Sequence, residues 1–142
     1  MSVYDQFGTS KSREAEGVGV DFGDFRVKLA RAGGHNQKWA KVAERCARPY
    51  KTAIQAGTLS NEKATELMAE MYVEAVVKDW QTKRDDEWVD GIEGRDGQIM
   101  PFTKENVRQI LIDLPDLFAI LQEHATDLNT FKEEQLLADA KN

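Results

Sequence analysis

The residues able to do chemistry are few: His35, His124, Cys46, an acidic stretch from Asp85 to Asp96, and three glycines near residue 20. His35 stands beside a Gly-Gly pair, and His124 follows Glu123 and precedes Asp127 in a helical stretch. An imidazole among carboxylates can shuttle protons near neutral pH, but on a charged helix it is ordinarily surface. Cys46 shares an apolar helix side with Ala43, beside Ala47. Arg45 and Arg48 would favour a thiolate, whereas burial makes a cysteine a small inert hydrophobe, and the spacing supports burial. With Asp86 as the first position of a calcium loop, Asp90 and Gly91 fall where an EF-hand needs them. Trp88 and Gly97 then occupy positions that require oxygen ligands, so the stretch reads as a solvated acidic loop. Gly17, Gly19 and Gly23 miss the Gly-x-Gly-x-x-Gly spacing by one residue, and no Lys-Ser/Thr pair follows them. No nucleophile, base and oxyanion donor can be assembled. The expectation is a protein that is not an enzyme, with no catalytic residue, no metal site and no cofactor.

The elements that would position these residues are mostly helical. Residues 1–16 are polar without apolar period and read as a flexible N-terminal arm. Val18, Val20 and Phe22 alternate, as do Phe25, Val27 and Leu29, around Gly23-Asp24. That pattern predicts a hairpin over 18–30 with glycine first in a type II′ turn. Asn36 opens a helix over about 36–56 with Trp39, Val42, Ala43, Cys46 and Tyr50 on one face, kinked near Arg48 by Pro49 and ended by Gly57. Ser60 caps a helix over 61–80, whose stripe runs from Leu67 through Met71, Tyr72 and Val76 to Trp80. Glu70, Glu74 and Lys78 would face water along it. A charged loop over 81–101 follows, then a Thr103-capped helix over 104–113 with Val107, Ile110, Leu111 and Leu114 inward. Pro115 ends that helix and starts another over 115–128. Thr130-Phe131-Lys132-Glu133 opens a last helix over 131–140, with Leu136 and Leu137 inward. The fold class expected is mainly α: one small domain over 17–142, of four to five helices with a short N-terminal β-hairpin.

Bulk properties narrow the function. At 142 residues the chain is long enough to bury a core without staples. One cysteine precludes an internal disulfide framework, and no apolar run approaches the roughly 18 residues that span a bilayer. The N-terminus lacks a signal-peptide core, so the expectation is a soluble intracellular protein with no membrane role. Net charge is −6 but unevenly placed. Residues 1–57 hold 10 Lys/Arg against 6 Asp/Glu, a net +4, and residues 58–142 hold 9 against 19, a net −10. An acidic half argues against a nucleic-acid partner. The asymmetry permits a solvated surface or head-to-tail self-association.

From Met71 to Phe131 the chain resembles the tail assembly chaperones of long-tailed, non-contractile bacteriophages. The residues that carry the resemblance are Asp79-Trp80, Gly97, Phe102-Thr103 with Glu105-Asn106, Leu114-Pro115 with Leu117-Phe118, and the trailing Phe131, in that order. The resemblance spans about residues 20–131, and the N-terminal arm has no place in it. It implies a non-catalytic protein of the host cell cytoplasm, absent from the mature virion. Such a protein binds the tape measure protein and keeps it soluble while the tail tube protein, a further partner, polymerises around it. Weak homo-oligomers are expected, through the hairpin edge or the oppositely charged halves. The resemblance also implies a longer form made by −1 ribosomal frameshifting, and Ala140-Lys141-Asn142 can be encoded by a slippery run. Trp88, Phe102, Leu117 and Phe118 are the residues expected to line a partner-binding groove. A structural head–tail component and a small regulatory helical domain are the competing readings.

Overall fold

A computed structural model describes residues 2–132. The expected last helix over 131–140, with Leu136, Leu137 and the terminal Ala140-Lys141-Asn142, lies outside the described residues apart from its first two positions. Helices α1 (Val3–Phe7) and α2 (Lys11–Glu16) come first, then strands β1 (Val18–Asp21) and β2 (Phe25–Leu29). Helices α3 (Gln37–Ala47), α4 (Lys51–Ala56) and α5 (Asn61–Ala75) precede β3 (Val77–Arg84), β4 (Glu87–Asp90), β5 (Ile92–Glu93) and β6 (Ile99–Met100). Helices α6 (Lys104–Asp113) and α7 (Pro115–Thr126) follow, and a 3-10 turn spans Leu128–Phe131. Residues 11–16, assigned to the arm from sequence, therefore form a helix.

The fold is not mainly α with a short hairpin. It is a mix of helices and a four-stranded antiparallel sheet in the order β1-β2-β3-β4, with β5 and β6 forming a separate two-stranded ribbon. The hairpin of β1 and β2 forms as expected, with Gly23 at φ 95° in its turn. Its second strand then pairs with β3, nearly fifty residues later in the chain. The expected helix over 61–80 ends at Ala75, and the strand that follows carries Trp80.

Local geometry explains the misreading. Val77 and Trp80 both face inward, opposite Leu29 and Val27, which are two residues apart on β2. Three residues of β3 thus answer two of β2, and the extra one is a β-bulge at Lys78 and Asp79. The bulge sets the inward residues three apart, which continues the helical stripe of α5 in sequence although the backbone has become extended. The expected loop over 81–101 is likewise structured. Asp85 and Asp86 both have positive φ, 51° and 63°, and make the tight β3–β4 turn, a conformation aspartate tolerates better than most residues.

The helical and core predictions fare differently by position. The break at Arg48–Tyr50, the left-handed Gly57, and the capping hydroxyls of Ser60 and Thr103 are as expected. Tyr72 is the hub of the core, with its ring edge-to-face on Trp39 at 5.5 Å and on Phe118 at 5.2 Å, tying α3 and α7 to α5. Burial pushes its hydroxyl pKa up to about 12. Val42, Met71, Val76, Trp80, Val107, Leu111 and Leu121 are buried with it, while Leu67, Cys46 and Leu117 are half-buried. Leu114 is exposed instead of inward.

Several polar residues do other work than predicted. Asn36 occupies the cap position of α3, yet its amide donates to the carbonyls of Arg31 and Ala75, joining the end of β2 to the end of α5. Glu70 and Glu74 do not merely face water, because Arg108 binds Glu70 at 2.7 Å and Lys104 binds Glu74 at 3.0 Å, clamping α6 to α5. Lys78 belongs to β3, and burial lowers its pKa with help from Lys38 and Lys28.

Candidate partner-binding site

Strand alternation gives the main sheet two unlike faces. Val27, Leu29, Val77, Trp80 and Thr82 point toward the helices and are buried. Arg26, Lys28, Asp79 and Gln81 sit at the alternate positions and point away. Pairing of Lys83 with Trp88 and of Gln81 with Asp90 puts Trp88 and Asp90 on that outer face too. Arg26 donates to the amide oxygen of Gln81, whose amide nitrogen donates to Asp90 at 2.9 Å, so one polar chain crosses three strands. The guanidinium of Arg26 stacks over the Trp88 ring at 4.3 Å, and the Lys83 ammonium lies 5.7 Å from it.

Two shallow depressions mark the outer face. One of ≈ 470 Å³ is floored by Gly19, Arg26, Lys28 and Gln81 between Asp21 and Asp79. The other, ≈ 340 Å³, runs from Asp79 and Asp90 to Ile99, Pro101 and Phe102. Phe102 is 38% exposed and packs edge-to-face on Trp80 at 5.5 Å. The Trp80 indole N–H donates to the Met100 carbonyl at 3.1 Å, so the chain leading to Phe102 is tied to the sheet. Gly91 permits the tight connection beneath: a Cβ there would meet the Ile99 side chain at 2.4 Å and the Met100 carbonyl oxygen at 2.9 Å, and its φ is 99°. The Thr82 hydroxyl donates to the Gly91 carbonyl and accepts from the Glu93 N–H, each at 2.9 Å.

Of the four residues expected to line one groove, the structure brings Trp88 and Phe102 to the outer face and its rim. Leu117 and Phe118 lie on α7, which packs on β2, and Phe118 is buried against Tyr72. The four therefore do not form a common surface. Sequence reading placed Trp88 in a loop because the Asp-Asp turn was read as acidic solvated chain. The signal that finds it is the β-rich run Trp80, Thr82, Trp88, Val89 around that turn.

Glu14 is the residue sequence reading missed most completely. Its side chain is fully buried, an uncommon place for a carboxylate. It accepts from the Arg31 guanidinium, from the His35 backbone N–H at 2.9 Å and from the Thr9 hydroxyl at 3.0 Å. Burial alone would raise its pKa, but these hydrogen bonds outweigh it and hold the pKa below the usual value. The cluster docks α2 at the β2–α3 junction, and the Ser10 N–H adds a bond to the Phe131 carbonyl at 2.9 Å. Neither histidine joins Cys46: His35 is at the β2–α3 turn with its ring half-exposed, and His124 on α7 packs its ring against Phe22 at 5.7 Å. Among the described residues no group of three His, Cys, Asp or Glu side chains can hold a metal ion. No described helix is long and apolar enough to cross a membrane.

The family described as YdaY prophage protein matches residues 34–142, most of the chain. The chain belongs to that family and is phage-derived. The matched span starts after the Glu14-anchored segment and the first hairpin, and takes in β3, β4 and Phe102. No curated protein and no solved structure matches the chain.

Proposed function

We propose that this prophage protein is a tail assembly chaperone that binds the tape measure protein through the outer face of its sheet. The observation that carries the reading is that face itself, left without a covering helix among the described residues and bordered by Trp88 and Phe102. An antiparallel sheet commonly leaves one face in water, so openness alone indicates nothing. Aromatic rings at the border of a polar face are the anchors that interfaces favour. A tape measure protein is a long helical chain with apolar seams that aggregate when uncovered. One of its amphipathic helices would lie across the strands, its apolar seam on Trp88 and Phe102 and its flanking charges on Arg26, Lys28, Asp79 and Asp90. Many copies along one filament act through multivalency. On this reading the protein is non-catalytic, works in the host cytoplasm and leaves before the virion is complete. A frameshifted longer form would share the same face.

Co-expression with a tape measure protein of the same phage tests the proposal. The partner should become soluble with this chain and remain insoluble with a Trp88→Ala, Phe102→Ala double variant of unchanged circular dichroism. Equal insolubility with and without the chain would refute it. Recovery of the protein in purified particles would make it a virion component instead.

A further inference from the structure

Helix α5 packs on α3 at one flank and on α6 at the other, so α4, continuing from α3, and the α6–α7 corner belong to opposite flanks of the helical layer. Each flank carries apolar surface left open among the described residues. On α4, Lys51, Ile54 and Gln55 share a helix face, and Ile54 is 46% exposed. They line a groove of ≈ 480 Å³ with Glu44, Ala47 and Arg48, and the two charged groups Glu44 and Arg48 are paired with each other. On the other flank a cleft of ≈ 520 Å³ opens between the β5–β6 ribbon and α6. Met100, Ile110 and Leu114 give it an apolar wall, and Glu93, Arg95 and Asp113 stand at its margin, Glu93 already paired with Arg84 at 2.8 Å. Leu114 is 46% exposed there.

The regional charge balance favours the same match. Residues 37–57 carry Lys38, Lys41, Arg45, Arg48 and Lys51 against Glu44 alone. Lys38, Lys41 and Arg45 on α3 and Arg48 just beyond it are exposed, with Arg45 reaching Glu74 of α5 at 3.9 Å and Arg48 pairing with Glu44. The cleft belongs to the half of the chain with net charge −10.

We infer that the cleft receives α4 of a second copy, Ile54 entering against Met100, Ile110 and Leu114, with Lys51 facing Asp113. The two surfaces differ and sit on opposite flanks, so the contact is head-to-tail. Each copy keeps a free cleft at one end and a free α4 at the other, and assembly continues into a ring or filament. This goes beyond the chaperone reading and does not depend on it, since it needs only this chain.

Sedimentation of the full chain tests the inference. Wild-type mass should rise with protein concentration beyond a dimer, and less so at high salt. Ile54→Asp and Leu114→Asp should each sediment as monomers. Leu114 is the N-cap of α7, a position where aspartate is favoured, so the second change suits the local fold. If it nevertheless lowers the helical circular dichroism, Ile110→Asp replaces it in the same wall. An equal mixture of the two variants should form a dimer and nothing larger, because one cleft and one α4 remain intact between them. A monomeric wild type at high concentration, assembly of either variant alone, or a mixture that stays monomeric would each overturn the inference. Binding of duplex DNA by the wild type that Arg48→Glu, Lys51→Glu abolishes would also overturn it, assigning the basic flank to phosphate.

Discussion

The two faces of the main sheet are made by the same strands, yet they are put to different use. Inward, Val27, Leu29, Val77 and Trp80 are sealed under helices, and the polar Thr82 hydroxyl has both its bonds satisfied by backbone. Outward, one residue along each strand, Arg26, Gln81 and Asp90 bond to one another and Trp88 lies under a cation. The inner face derives its free energy from removing apolar area from water, which is insensitive to small changes outside. The outer face exchanges water for weak polar contacts, so it can be remodelled at little cost to the fold. The contrast separates what holds this protein together from what it has available for a partner.

The largest break in that contrast comes from the inner face. Trp80→Ala should lower stability by about 3–5 kcal/mol, since a buried indole and its bond to the Met100 carbonyl are lost together. Urea denaturation monitored by far-ultraviolet circular dichroism measures it. A loss under about 1 kcal/mol would mean that the sheet does not depend on this ring.

Next in size is the buried charge that docks α2. Glu14→Gln should cost about 1–3 kcal/mol, because Arg31 loses its charged acceptor in a site closed to water. The pH dependence has a definite sign. A carboxyl held below its ordinary pKa contributes stability that is fully present above the unfolded value, 4.5 for glutamate, and lost as pH falls through the folded value. The wild type should therefore weaken on acidification below about pH 4.5, and the Gln variant should show a shallower acid limb.

Thr82→Val sharpens the comparison further. It keeps the shape of an inward residue and removes the hydroxyl that serves Gly91 and Glu93, so about 1–2 kcal/mol should be lost. Hydrogen exchange should rise first in β5 and β6, which that hydroxyl ties to β3.

The smallest stability effect belongs to the outer face. Trp88→Ala should change stability by less than about 1 kcal/mol, the scale of a cation–π contact on a half-buried surface ring. A loss as large as that of Trp80→Ala would erase the distinction between the faces and with it the case for a spare binding surface.

Much of the helical half was legible in the sequence because its signals are local. Pro49, Gly57, Ser60, Thr103 and Pro115 each act through their own backbone or hydroxyl, and each sits where its chemistry predicts. The first hairpin was legible for the same reason, since alternation and a Gly-Asp turn need no distant partner. The sheet was not. Its central pair joins residues 25–29 to 77–82, and a bulge on β3 copies helical spacing at the point where the helix ends.

The candidate site divided along the same line. That Trp88 and Phe102 lie outside the helical apolar stripes could be read directly, but which residues share a surface with them could not. Phe118 resembled a candidate anchor because apolar periodicity does not say which of several hydrophobic side chains finds an aromatic partner in the core. Glu14 carried no sequence signal, because a buried carboxylate is specified by Arg31 and the His35 N–H converging on it from beyond a hairpin.

The sequence by itself determined the helix ends, the first turn and the asymmetry of charge. Only the tertiary structure decided that Val77–Arg84 is extended, that the sheet has four strands, and that Trp88 and Phe118 lie on opposite sides of it. Caps and turns are fixed by steric and hydrogen-bond terms among near neighbours. Strand pairing and the choice of buried face depend on contacts between segments far apart in the chain, whose free energy appears only when both are in place.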